Sequence, residues 1–314
     1  MRFIQIDEEG YFSSSGVRLT DENYGRKLLS TLTCEKRVFY VYDNTLKILV
    51  EAFDEPLVAR HIESVSKTGI VRALLPYGLT SELSLDSFRV DLWDRFHART
   101  NTNLPVVFSR SAQMDLFDLA DEYDDESLSF HGRRFLIEPL EPNTPIEAGA
   151  ASKIITPNES IPPVESLLSS ILPQIKLPVS RICVLDSPSG SGAAHFAQQG
   201  HVVTDVDTRE ALDFAKKHRG EFDLVFEHTL LCSITPAKRL EAVDAWSRLL
   251  LADGHLLAIF NVMDRAYCAP FGATEWEIRE LLKTKFEFLY WTRWQHSPPQ
   301  QLGTELVVYA RKKA

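Results

Sequence analysis

The sequence predicts an α/β protein in two parts: a smaller α+β domain over residues 1–140, then a domain over 141–314 built on a mostly parallel sheet with an antiparallel C-terminal strand. Three features carry that prediction. From residue 181 onward, short apolar runs at strand spacing alternate with helical stretches. A turn of small residues, 186–192, breaks the first of those runs. Prolines at 139, 142, 145, 157, 162 and 163 alternate with small and polar residues, as an extended linker does.

In the second domain, residues 181–185 (RICVL) form a β-branched strand, and residues 186–192 (DSPSGSG) allow a tight bend before a helix over 193–199. A strand over 202–206 ends in the carboxylate Asp207. Helix-forming residues 208–218, a strand over 222–227, a helix over 237–251, a strand over 255–260 and a helix over 274–283 follow. Strands 286–294 and 305–311 end the chain and are joined by a Pro-containing turn. Strands separated by helices pair in parallel, whereas two joined by a turn add an antiparallel edge.

The first domain reads as mixed. Thr20 is positioned to cap a helix running through Thr33, with Leu28, Leu29 and Leu32 at core spacing. Residues 38–42 and 45–51 form a hairpin around Asp43 and Asn44. Further on come a strand over 104–108, a helix over 111–122 with Met114, Phe117 and Leu119 turned inward, and a hairpin over 128–137 around His131 and Gly132. Asp118, Asp121, Glu122, Asp124, Asp125 and Glu126 lack the glycine bend of a calcium loop and read as a solvated acidic surface. This part loosely resembles an uncharacterised bacterial domain family with a central charged hairpin and a terminal L-x-x-L-A helix, here Leu116 to Ala120.

Bulk properties bound the function. With 314 residues, 44% apolar and 25% charged, the chain is globular and long enough for two cores. A formal net charge of -10 leaves no basic footprint for nucleic acid. No apolar run reaches the ~20 residues that span a bilayer, and the N-terminus lacks a signal peptide's apolar core, so a cytoplasmic location without membrane attachment is expected. Cys34, Cys183, Cys232 and Cys268 are scattered without C-x-x-C spacing, which predicts reduced thiols and no zinc site.

A strand, a small-residue loop and a helix N-terminus together make a nucleotide site, because the loop admits a ligand to the backbone and the helix end presents free N–H groups. Ser189, Gly190 and Gly192 would form that loop, and Asp207 would accept hydrogen bonds from both hydroxyls of a ribose. The same residues also read as a nicotinamide dinucleotide site, but His195 stands where G-x-G-x-x-G has its third glycine.

The order of these elements resembles the thiopurine S-methyltransferase family of class I S-adenosylmethionine-dependent methyltransferases, over residues 141–314. The matching segments are G-H-x-V-x-x-V-D ending at Asp207, Asp213-Phe214, F-D-L-x-x-E-H-T-x-x-C-x-I-x-P over 222–236, and Arg239. Residues 143–149 (NTPIEAG), 249–254 (LLLADG), 268–271 (CAPF) and Gly303-Thr304-Glu305 add to them. Pro188 departs from the family's turn and removes a backbone N–H. The resemblance implies a Rossmann-like fold, S-adenosylmethionine as cofactor, and methyl transfer to a small soft nucleophile such as a thiol, selenium or tellurium species.

It also implies site residues. Asp213 and Phe214 would lie at the adenine, Glu227 and His228 at the transferred methyl group, and Phe271 and Trp276 along the acceptor. Few residues separate Asp207 from Asp213. Either Asp213 closes a short bypass, or 208–218 is itself a helix, the adenine strand is missing and Asp213 is solvated; the i, i+4 placement of Asp213 and Lys217 favours the helix. Glu227 also reads as a cap for the following helix, His228 as a local hydrogen-bonding residue, and Cys232 as core beside Leu230, Leu231 and Ile234. A second functional reading stands beside the enzyme: a catalytically degenerate methyltransferase fold acting as a binding or regulatory module.

Overall fold

The structure, a computed structural model, describes residues 3–14, 17–35, 38–124, 126–140, 164–175, 177–178, 180–186, 191–207, 210–228, 230–262, 271–294 and 305–313. The chain divides into two compact units, Met1–Thr144 and Pro145–Ala314.

The first unit is mostly β. One sheet runs in the order Val17–Arg18, Phe12–Ser14, Phe3–Ile6, Leu46–Ala52, Val38–Asp43, Thr33–Glu35. A second runs Glu138–Pro139, Arg89–Val90, Phe96–Arg99, Pro105–Phe108, Leu57–Ala59, and two three-stranded sheets complete the described strands. The expected hairpin forms between Val38–Asp43 and Leu46–Ala52, with Asn44 at φ 56° in its turn. Strands Ser127–Phe130 and Arg133–Leu136 pair around His131 and Gly132, both at positive φ.

The first helix, Glu22–Leu29, is capped by Asp21, whose carboxylate accepts from the Tyr24 N–H at 3.0 Å; Thr20 does not cap it. Gly25 sits inside this helix at the usual cost of a helical glycine, because a Cβ there would fall 2.2 Å from the Tyr77 ring. The Tyr77 hydroxyl in turn accepts from the Phe12 N–H at 2.8 Å.

The second helix, Arg110–Leu119, is capped by Ser109 and buries Ala112, Gln113 and Leu116. Met114 and Leu119, expected inward, are 55% and 41% exposed. The inner face holds small residues and Gln113, whose side-chain amide donates to the Asp94 carbonyl at 2.8 Å. Asp118, Asp121, Glu122, Asp124 and Glu126 are exposed, with Asp124 paired to Arg134; Asp125 lies outside the described residues.

One charged cluster is buried in this unit. Asp91 accepts from His97 Nε2 at 3.0 Å and from the Arg95 guanidinium at 2.9 Å. Arg95 reaches Asp54 at 2.5 Å, and His97 Nδ1 faces Glu55 at 3.7 Å. Burial alone would raise the Asp91 pKa. The His97 hydrogen bond and the charges of His97 and Arg95 outweigh it and hold the carboxyl well below the usual carboxylate range.

In the second unit, strands β1 (Arg181–Asp186), β2 (Val202–Asp207), β3 (Phe222–Glu227), β4 (Leu250–Asn261), β5 (Phe286–Arg293) and β6 (Glu305–Lys312) form one sheet in the order β2-β1-β3-β4-β6-β5. The first four are parallel, and β6 is antiparallel to both its neighbours. The helices are α1 (Val164–Ile175), α2 (Ser191–Gln198), α3 (Ala211–Lys217), α4 (Leu230–Ser233), α5 (Arg239–Leu249) and α6 (Glu275–Leu282).

Strand alternation distributes the core between two faces. Ile182, Val184, Leu224, Phe226, Leu257 and Ile259 pack with α1 and α2 in one buried cluster, where Phe196 meets Phe226 at 5.3 Å. On the other face Trp246 of α5 meets Phe260 of β4 at 6.1 Å. Gly254 lies inside β4 where its register against β3 shifts, and a Cβ there would lie 3.0 Å from the Leu250 side chain.

Candidate functional site

Open α/β sheets bind ligands at the carboxyl ends of their strands. Glu227 ends β3 there, with its side chain on the α5 face, since it alternates with Phe226 of the opposite cluster. It is 1% exposed, and its carboxylate accepts from the Leu231 N–H at 2.9 Å, capping α4. His228 follows, half-buried, with its ring stacked at 6.3 Å on Phe226.

Glu227 and His228 line a small recess with Leu231, Cys232, Phe260 and Phe271, closed by Ile259, Asn261 and Ala273. Its enclosed part has room for about one water molecule. Phe271 is fixed there by its N–H, which donates to the Cys232 carbonyl at 2.7 Å. Burial pushes the Cys232 thiol up to about 11, and the Glu227 charge adds to that, so the sulfur stays protonated at neutral pH. Trp276, expected beside Phe271, is in α6 and is not among the residues lining the recess.

The wall carrying Phe271 is held by an ion pair that the sequence reading assigned no role. Arg239, 1% exposed, meets Glu277 at 2.7 Å and donates to the carbonyls of Gly272 at 2.9 Å and Phe271 at 3.3 Å. A signal for it was present in the spacing: Arg239 shares one helical stripe with Ala242, Val243, Trp246 and Leu249, all buried. A second pair ties α6 to β5, with Glu275 accepting from Arg293 at 2.7 Å and from the Trp291 indole.

The nucleotide-loop residues are only partly in view. Ser189 and Gly190 lie outside the described residues, as do Pro188, Thr229, Cys268, Gly303, Thr304 and the segment 143–149. Gly192 is buried in the first turn of α2. Asp207 is half-buried at the end of β2, in register with Asp186 of β1. These backbone positions set a carboxylate and a helix N-terminus at the ends of adjacent strands.

Asp213 and Phe214, expected at the adenine, lie next to each other in one helix, each with a partner of its own. Residues 211–217 are helix α3, where Asp213 is 78% exposed and bonds Lys216 at 2.8 Å. Phe214 stacks on His218 at 4.0 Å. The physical reason is chain length: α3 occupies the stretch between β2 and β3, so among the described residues no strand stands beyond β2.

No family model matches the chain, and no curated protein matches it. Solved structures do. A 1,6-didemethyltoxoflavin-N1-methyltransferase from Burkholderia thailandensis, determined with 1,6-didemethyltoxoflavin and S-adenosylhomocysteine bound, is 22% identical. That likeness covers 49% of this chain and 78% of that one at a TM-score of 0.39. An S-adenosylmethionine-dependent methyltransferase from Methanosarcina mazei is 17% identical over 45% of this chain and 97% of its own, TM-score 0.38. A DUF1285 family protein from Silicibacter pomeroyi is 18% identical over 44% of this chain and 81% of its own, TM-score 0.36. The fold itself rests on the strand order above.

Proposed function

We propose that the second unit binds S-adenosylmethionine at the carboxyl end of its sheet and methylates a small soft nucleophile, a thiol, selenium or tellurium species. One observation supports this above the others: Asp207, the N-terminus of α2 and the Glu227–His228 recess belong to the ends of three adjacent strands, β2, β1 and β3. A carboxylate for ribose hydroxyls beside a helix N-terminus for an anionic group suits the ribose and amino-acid ends of that cofactor. The α3 side chains do not suit its adenine. The acceptor class is taken from the resemblance to the thiopurine S-methyltransferases.

When bound, S-adenosylmethionine supplies a methyl carbon on a sulfonium, open to in-line displacement by a nucleophile's lone pair. The chain's own residues then have two tasks. Phe260 and Phe271 exclude water around the acceptor and orient it, which is the larger contribution for such a displacement. His228 takes the acceptor's proton, an imidazole being the side chain that does so near neutral pH. Glu227, locked as the α4 cap, positions the backbone that carries His228.

The test is calorimetric titration of the full chain with S-adenosylhomocysteine, together with methyl transfer to a panel of thiols. Binding is expected. His228→Ala should lower the chemical step by roughly tenfold or more. Absence of both binding and transfer would instead support the non-catalytic module, which the small recess and the missing adenine strand favour.

A further inference from the structure

The inference rests on the donor-binding reading and concerns what the site recognises. Across the carboxyl edge of the sheet the strands follow in the order β3, β1, β2, about 4.8 Å apart. The recess at Glu227 and His228, the end of β1 and Asp207 therefore lie in a row. A nucleoside held by its ribose hydroxyls at Asp207, with its sulfur end turned toward the recess, carries its base outward past the last strand.

Among the described residues β2 pairs with β1 alone, so its outer edge meets no further strand. The Glu210 N–H donates to the Asp207 carbonyl at 2.9 Å, turning the chain into α3, which leads directly back to β3. The α3 helix packs against α5 and β2. Its two side chains suited to a purine are engaged within the helix or just past its end, Asp213 with Lys216 and Phe214 with His218.

We propose that the donor site recognises the ribose and not the base, so that it holds purine nucleosides of homocysteine with little regard to the exocyclic group. A site that hydrogen-bonds the adenine amine would leave a polar group unpaired when that amine is replaced by oxygen, at a cost of tenfold or more in affinity. A base overhanging the sheet loses no such bond.

The experiment is titration of the full chain with S-adenosylhomocysteine and, separately, with S-inosylhomocysteine. The two dissociation constants should agree within about fivefold, roughly 1 kcal/mol, and Asp207→Ala should weaken both by a similar factor of about ten. A larger penalty for the inosine compound overturns the inference while leaving the donor reading intact. Unchanged binding of both ligands by folded Asp207→Ala removes the ribose anchor, and the inference with it. Failure of S-adenosylhomocysteine itself to bind overturns the donor reading and this inference together.

Discussion

Glu227 shows how a single position separates two roles. Its carboxylate is buried and accepts from the Leu231 N–H, so it acts on the backbone of α4 whatever else it touches. Glu227→Gln keeps an acceptor oxygen, while Glu227→Ala leaves that N–H unbonded and should cost about 1 to 2 kcal/mol. We expect thermal melts to show this difference, with methyl-transfer rates falling for the alanine and little for the glutamine. A rate collapse in a stably folded glutamine variant would make the charge itself part of the chemistry. Cys232 gives a second test at this scale. With its thiol pushed up to about 11 and Cys183 up to about 12 by burial, alkylation at neutral pH should map to exposed Cys34 before either of them. Asp91 gives a third, through linkage. Its folded pKa is depressed below the ~4 of an unfolded aspartate, so its contribution is complete above that pH and is lost as pH falls toward the folded value. Acid titration of stability should therefore show a loss below pH ~4 that Asp91→Asn reduces, against a lower starting stability because Arg95 and His97 lose a charged partner.

At the scale of elements, the α5–α6 contact is the most exposed to a single change. Arg239→Met would leave Glu277 buried opposite an apolar side chain and should cost about 3 to 5 kcal/mol, the usual result of removing one partner of a buried pair. Arg239→Lys keeps the charge and loses the fork that reaches Glu277 and two carbonyls at once, so an intermediate cost is expected. Chemical denaturation of both variants checks the order. Much of the second unit was legible in the sequence because each strand is an apolar run bounded by turn residues and each helix is amphipathic. The helix over 208–218 was favoured on helix propensity and charge spacing, and α3 lies within it. By contrast α1, Val164–Ile175, was unassigned, because the surrounding prolines read as linker and Pro173 falls inside it; its Leu167, Leu168, Ile171 and Leu172 stripe was the signal. Met114 and Leu119 were placed inward by hydrophobicity alone, whereas the helix turned Ala112, Gln113 and Leu116 to the core. In the site, Glu227, His228 and Phe271 converge on one recess, while Asp213 stands exposed on α3, the alternative that the short spacing from Asp207 and the helix-forming residues between them favoured.

For the whole molecule, the two hydrophobic clusters decide what is expected. One draws its residues from Ile4 to Ile137, the other from Val164 to Tyr309. Each cluster draws its residues from one unit alone, so each unit has an apolar core of its own. The fragments 1–144 and 145–314 should then each express as folded species with a cooperative melt. Limited proteolysis of the intact chain should cut within 146–163, where prolines interrupt helix and sheet patterns, and yield those same two pieces. The charged cluster around Asp91 belongs to the first fragment and the proposed donor site to the second. Lowering the pH below ~4 should consequently destabilise 1–144 through Asp91, while S-adenosylhomocysteine should raise the melting temperature of 145–314 and leave the other fragment unchanged. If neither fragment folds alone, or the first cut falls inside 193–260, the division of the chain at this boundary is wrong. If both fold but the ligand stabilises only the intact chain, the first unit contributes to the donor site, and Asp207 with the α2 N-terminus is not sufficient to hold it.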